Sequence, residues 1–216
     1  MRREALVLGA AMLLCAACSS AGRSSAPSAS TSAASGTVAV TTTSLPATTT
    51  SLPGGINPDA IPRVITIPYV DAVFKVLEHL EGDVSRSLLA AGRLTPTATS
   101  YLRSIFNDPL YAKEVTISQQ SIAGNTSNVR RPPGDVVLKV VDLISASPTC
   151  IFASTSADYS AVLIKPETPP ASAYIGLDPK QVNASDNSVN PTPWAIFFNA
   201  VFIKAATVPN QCASHS

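Results

Sequence analysis

Between residues 19 and 58, 33 of 40 side chains are Ser, Thr, Ala, Pro or Gly, and the single charge is Arg23. A stretch of that composition cannot bury enough apolar area to offset the entropy of ordering it. All 12 aromatic residues of the 216-residue chain lie after position 58. The foldable part is therefore confined to 59–216, a length suited to one domain. Inside the low-complexity stretch, 41–46 and 48–53 are the same word, Thr-Thr-Thr-Ser-Leu-Pro, at a period of seven. As a coil, about 40 residues span roughly 35 Å root-mean-square. That is a tether.

The residues before the tether have the three parts of a secretory signal. Met1-Arg2-Arg3-Glu4 is a basic start, Ala5 to Leu14 is a ten-residue apolar core, and Ala16-Ala17 leads to Cys18. A Cys after two alanines resembles the lipobox of bacterial lipoproteins. Cys15 stands where that family usually has Leu, and Leu14 lies one position earlier. The resemblance implies cleavage before Cys18 and a diacylglycerol on its thiol. It implies a lipoprotein on the extracytoplasmic face of the cell membrane; cleavage without lipid would give a secreted protein instead. The expected organisation is a signal peptide at 1–17, a lipidated Cys and disordered linker at 18–58, and a domain at 59–216. No apolar run after residue 17 approaches the roughly 18–20 residues of a spanning helix. With 15 basic against 14 acidic side chains, the electrostatic case for a nucleic-acid partner fails.

Four cysteines divide accordingly. Cys15 leaves with the signal, Cys18 carries the lipid, and Cys150 and Cys212 remain. In an oxidising compartment an even pair reads as a disulfide, with two buried free thiols as the alternative. Closing 62 residues would contribute roughly 4 kcal/mol in the chain-entropy model. Two spread cysteines, His79 and His215 form no ligand cluster, so neither metal nor cofactor is expected.

In the domain, Thr66-Ile67-Pro68 is a helix start, a capping hydroxyl followed by proline in the first turn. Val70, Val73, Phe74, Leu77, Leu80, Val84 and Leu88 then recur at three- and four-residue spacing as one stripe. His79, Lys75 and Arg86 fall opposite; Gly82 reads as a weak point and Gly92 as an end. Thr95-Pro96 opens a second helix through Tyr101, Leu102, Ile105 and Phe106. Asp108-Pro109 opens a third through Leu110, Tyr111 and Val115. After Gly134 the pattern becomes extended, predicting strands over 136–144, 150–159, 173–177 and 194–203. Alternation puts Trp194, Ile196, Phe198, Ala200 and Phe202 on one face of the last strand. Both its faces are apolar, which predicts a central or doubly covered strand. Helices first and strands afterwards mean an α+β fold, helices packed on a curved, mainly antiparallel sheet of four to six strands.

That element order resembles the cone-shaped fold of the nuclear transport factor 2-like superfamily, with a cystatin-like helix on a sheet as the competitor. The words Asn190-Pro191-Thr192-Pro193-Trp194 entering the last strand look like the ending of exported actinobacterial lipoproteins of this type. The resemblance covers about 60–210. It implies a cavity between the first helix and the concave sheet, which Val73, Leu77, Leu80, Leu138, Val140, Ile196 and Phe198 would line.

No metalloprotease pair, nucleophile elbow, phosphate loop or dinucleotide fingerprint appears. Ser185-Asp186-Asn187 lacks the partner motifs of β-lactamases and reads as a turn. His79, between Glu78 and Glu81, reads as solvated surface. Glu81 borders the apolar stripe, and Asp142 shares a strand face with Val136, Leu138, Val140 and Ile144. Turned inward, the two would form a desolvated acid pair, with Tyr69 as a third group. Superfamily cyclases and isomerases place carboxylates there, but no motif of theirs matches. The leading expectation is a tethered, non-enzymatic envelope module for a lipid-like ligand or an envelope protein. The alternatives are a cyclase- or isomerase-type enzyme and a structural domain that forms a homodimer.

Overall fold

Helix α1 (Ile67–Ala91) runs for 25 residues from Thr66 to a left-handed Gly92, φ 62°, whose N–H bonds to the Leu88 carbonyl at 2.9 Å. A computed structural model describes residues 55–124, 126–166, 171–180, 189–201 and 208–214. The signal peptide, Cys18 and nearly all of the linker lie outside these residues, as do Ser185-Asp186-Asn187, Phe202, Ile203 and His215. Every member of the expected α1 stripe, Val70 through Leu88, is buried. The expected Thr66 cap is different, because its hydroxyl makes no capping bond. Pro68 removes one of the two N–H groups that such a cap serves. Thr95 does cap its helix, α2 (Pro96–Ile105), accepting from the Ala98 N–H at 3.1 Å. Helix α3 (Leu110–Ala123) begins directly after Pro109.

The strands β1 (Val137–Ser147), β2 (Cys150–Asp158), β3 (Ala171–Pro179) and β4 (Trp194–Val201) form an antiparallel meander in chain order. Three helices packed on this sheet make the α+β architecture. Register decides the faces. Leu138, Ala153, Ile175, Leu177 and Ile196 lie on the helix side, as the pairing across the sheet requires. Phe152, Tyr174 and Phe198 occupy the opposite side, with Phe152–Phe198 edge-to-face at 5.8 Å between centroids.

Three bulges overturn the simple alternation read from the sequence. In β1, Val140 pairs with Thr155 but Asp142 with Ser154, leaving Val141 extra; Ile144 is extra in the same way. In β4, Ile196 pairs with Leu177 and Phe198 with Gly176, leaving Phe197 extra. Each inserted residue moves the rest of its strand to the other face. Phe198 therefore does not share a face with Trp194 and Ile196. Gly176 makes the β4 bulge feasible, because a Cβ there would sit 2.7 Å from the Phe197 ring.

Strand β4 is not central. Among the described residues it is an edge, paired only with β3, and Phe106–Asn107 closes part of its outer side through Asn107 N–H to the Ile196 carbonyl, 3.0 Å. The apolar character of its second face has a local cause, the aromatic cluster with Phe152 and Tyr174. Cys150 lies on that same side by alternation, and its bond to Cys212 pins the turn Gln211–Ser214 beside it.

The Asn190-to-Trp194 words prove to be an architectural lock. Asn190 and Thr192 are fully buried. The Asn190 amide donates to the Ser104 carbonyl at 2.7 Å and to the Trp194 carbonyl at 3.0 Å, while its oxygen accepts from the Thr192 N–H. The indole N–H of Trp194 donates to the Tyr69 hydroxyl at 2.7 Å. The motif thus joins the end of α2, the start of α1 and the start of β4.

Candidate functional site

The expected acid trio does not assemble. The Val141 bulge puts Asp142 on the side away from the helices, opposite Ser154. Tyr69 is held by Trp194 near the start of α1, about 18 Å along the axis from Glu81 at 1.5 Å per residue. Burial raises the Tyr69 phenol above its ordinary value, tempered by the bond from Trp194. Glu81 keeps an inward position, but with different partners.

Of the expected pocket residues, Val73, Leu77, Leu80, Leu138 and Ile196 are buried members of one continuous apolar core, and Val140 packs against it. Phe198, on the far side of the sheet, is not in that group. Val140 also donates its N–H to Asp71 of α1 at 2.9 Å, which fixes the helix over β1.

The polar groups that the structure gathers are elsewhere, along the contact of α1 with α3. The buried residues of α3 include Leu110, Glu114, Ser118 and Ser121, spaced i, i+4, i+8 and i+11. Tyr111 and Val115 are half-buried and pack against the apolar core. Opposite Glu114, Ser118 and Ser121, α1 presents Glu81 and Ser85, while Glu78, one turn earlier, lies against Gly134, Val136 and Val162. Glu114 is 3 % exposed and Glu78 6 %. Buried acids of this kind are informative because carboxylates are almost never fully buried without a partner.

Burial pushes the Glu78 carboxyl up to about 8, with the negative Asp135 adding to the effect. Glu81 is half-exposed by area, yet its carboxyl is enclosed by protein; burial first, then Glu78 and Glu114, drives it well above the ordinary carboxylate range. Burial raises Glu114 to about 7, with Lys113 pulling the other way. Burial therefore favours the neutral form of all three carboxyls.

Two small cavities flank Glu81, each of about 10 Å³. Glu81, Ser85, Glu114, Ser118 and Ser121 line the first together with Leu88 and Leu102. Glu78, Glu81 and Ser85 line the second against Gly134, Val136 and Val162. That volume is about the size needed for one water. Among the described residues, no group of three or more His, Cys, Asp or Glu side chains is arranged to hold a metal ion.

Asp135 joins the seam to the surface. Its carboxylate meets His79 Nδ1 at 2.8 Å and Arg86 Nη1 at 2.8 Å, and Arg86 reaches Asp83 at 2.9 Å. His79 is thus tied to the segment before β1 although its side chain is 62 % exposed. Gly82 permits this closure. A Cβ there would collide with the Asp135 carboxylate and press on the Arg86 guanidinium. The glycine is a point of close approach, and α1 continues through it.

Sequence reasoning found Glu81 and missed Glu78, Ser85, Glu114 and Ser118. Their helical spacing was legible, but a polar stripe at that spacing is also what a solvated helix face looks like.

No family model and no curated protein matches the chain. Among solved structures, the Agrobacterium tumefaciens VirB8 protein aligns at 15 % identity and a TM-score of 0.27, over 65 % of this chain and 93 % of that one. A superposition this loose carries no inference about function. Among the described residues, no helix is long and apolar enough to cross a membrane.

Proposed function

We propose that this protein is an extracytoplasmic accessory module, anchored by lipid at Cys18 and carried on the 18–58 tether. Its domain, of nuclear transport factor 2-like type, works by contact with an envelope protein or a second copy. The observation that carries this reading is the way the expected pocket residues pack. Among the described residues, six of the seven residues expected to line a lipid pocket lie in or against the apolar core, and the cavities beside Glu81 hold about 10 Å³ each. A lipid-like ligand needs a site of several hundred Å³. A cyclase or isomerase substrate has the same requirement, so the raised acids alone do not support turnover.

The oxidising location is supported by the Cys150–Cys212 bond, which joins residues 62 apart in sequence. Contact surface is available on β1, where the bulged Val141 is 65 % exposed and Val137 46 %. Photo-crosslinking from position 141 in living cells tests the contact, with position 113 on the exposed side of α3 as control. A discrete protein adduct from 141 supports the reading. Absence of any adduct, together with a melting shift on adding envelope lipid extract, would return it to lipid binding. Palmitate labelling that survives Cys18→Ala would remove the anchor.

A further inference from the structure

The same pair of residue types, four apart, occurs on two helices. Glu81 and Ser85 stand i, i+4 on α1, and Glu114 and Ser118 stand i, i+4 on α3, so each pair shares one side of its helix. All four side chains line one cavity of about 10 Å³, together with Ser121. Apolar side chains close the remainder. Leu110 in the core, with Tyr111 and Val115 against it, holds α3 in place. The two pairs are therefore positioned by packing that does not involve them.

The oxygens around this cavity lack protein partners. Glu114 is 3 % exposed, Ser85 5 % and Ser118 6 %. Among the described residues, none of these three side chains, nor Glu81, makes a hydrogen bond or an ion pair. Ser104, Thr116 and Ser121 donate their hydroxyls to a carbonyl three or four residues back, at 2.8, 3.0 and 2.9 Å. Ser85 and Ser118 do not, and their hydroxyls are left to the cavity. No Lys, Arg or His nitrogen of the described residues lies within 4.0 Å of either carboxyl, and Lys113 acts on Glu114 only from farther away.

Enclosed carboxyls without a counter-charge are neutralised by protons or by a cation. The donor set says which cation fits. It is all oxygen, with two carboxylates matching a double positive charge, and it offers neither sulfur nor imidazole. Calcium accepts about six to eight oxygens in irregular arrangements, and carboxylates can bind it through both oxygens. Magnesium demands a near-ideal octahedron and keeps several waters, for which a space of about one water has no room.

We propose that Glu81, Ser85, Glu114 and Ser118 form a calcium site that bridges α1 and α3. Hydroxyls supply part of the shell, so no third acidic ligand is required. Glu81, the least buried of the four, gives the ion its way in. With two carboxylates the affinity falls at the weak end for this metal, a Kd on the order of 10⁻⁴–10⁻³ M.

Titration calorimetry of the whole exported chain, stripped with a chelator, tests this with calcium chloride at pH 7.5 and constant ionic strength. One calcium should bind per chain, and magnesium should bind at least about tenfold more weakly. Glu114→Gln should weaken calcium binding by at least about tenfold. Ser118→Ala, which keeps both charges, should weaken it by a smaller factor, while Asp142→Asn, across the sheet, binds like the parent. Melting curves provide a second reading, since the midpoint should rise with the logarithm of calcium concentration above the Kd. Should Glu114→Gln fold poorly, Ser118→Ala decides. No binding by the folded parent at about 10 mM calcium, tenfold above the weakest expected Kd, would overturn the site. So would unchanged affinity in either folded variant, or equal affinity for magnesium.

Discussion

One face of α1 buries Val73, Phe74 and Leu77 in the apolar core, while another turns Glu81 and Ser85 toward α3 and Glu78 toward the segment before β1. The two faces belong to the same turns of the same helix. On the first, burial is favourable whatever the solvent pH, and its cost if disturbed is the loss of packing. On the second, burial pushes the acids toward their neutral form, so its energy changes with proton activity. One helix therefore carries a permanent contact and a conditional one.

The largest test of this contrast is Leu77→Ala, which empties a fully buried site and should cost about 2–5 kcal/mol at any pH. Chemical denaturation at pH 5 and pH 8 measures it; a cost that changed strongly between the two would merge the two faces. Breaking the Cys150–Cys212 bond with Cys150→Ser/Cys212→Ser should cost about 2–4 kcal/mol, again without pH dependence, as read by melting of the unreduced protein.

The seam should behave in the opposite way. Glu78 titrates at about 8 in the folded chain against 4.5 for a glutamate in water, so the folded form binds more protons between those values. Stability is then fullest below about pH 4.5 and falls as pH rises toward 8. Glu78→Gln, neutral at every pH, should raise stability at pH 8 by about 1–3 kcal/mol and leave it nearly unchanged at pH 5. Equal effects at both values would show that Glu78 is not held protonated.

Smaller effects sharpen the boundary between the faces. Gly82→Ala favours helix by roughly 1 kcal/mol in isolation, but here it displaces Asp135 from His79 and Arg86. Its net effect should be destabilising by about 1 kcal/mol in thermal melts, because the added methyl meets a short, tethered side chain. A stabilised variant would mean that the close approach is dispensable. Asp142→Asn, on the far side of the sheet, should change stability by no more than about 0.5 kcal/mol at either pH. A larger change would put that carboxylate back among the interior groups.

Much of the fold was legible because it rests on local periodicity. The three- and four-residue spacing of Val70 through Leu88, the Thr95-Pro96 start and the Gly92 stop are short-range signals, and each operates as read except for the bare cap at Thr66. The strand segments and the pairing of two remaining cysteines could be read from composition and parity. The faces of β1 and β4 could not. A two-residue period specifies sides only while the ladder is regular, and Val141, Ile144 and Phe197 break it. That is why Asp142 and Phe198 moved across the sheet.

The seam lay beyond sequence reasoning for a different reason. Glu78, Glu81 and Ser85, like Glu114, Ser118 and Ser121, have the pattern of a solvated helix surface, and either stripe alone would be one. The sequence by itself determined that the chain has a signal-like start, a long Ser/Thr/Ala/Pro-rich stretch after it, an α+β domain and an even cysteine pair, whereas the packing of Ile56 against the core came from the structure. Only the tertiary structure decided which polar stripe is wet. Docking of α3 covers Glu81 and Ser85 while the segment before β1 covers Glu78, and the resulting charge state depends on neighbours contributed by α1, α3 and that segment rather than on either stripe alone.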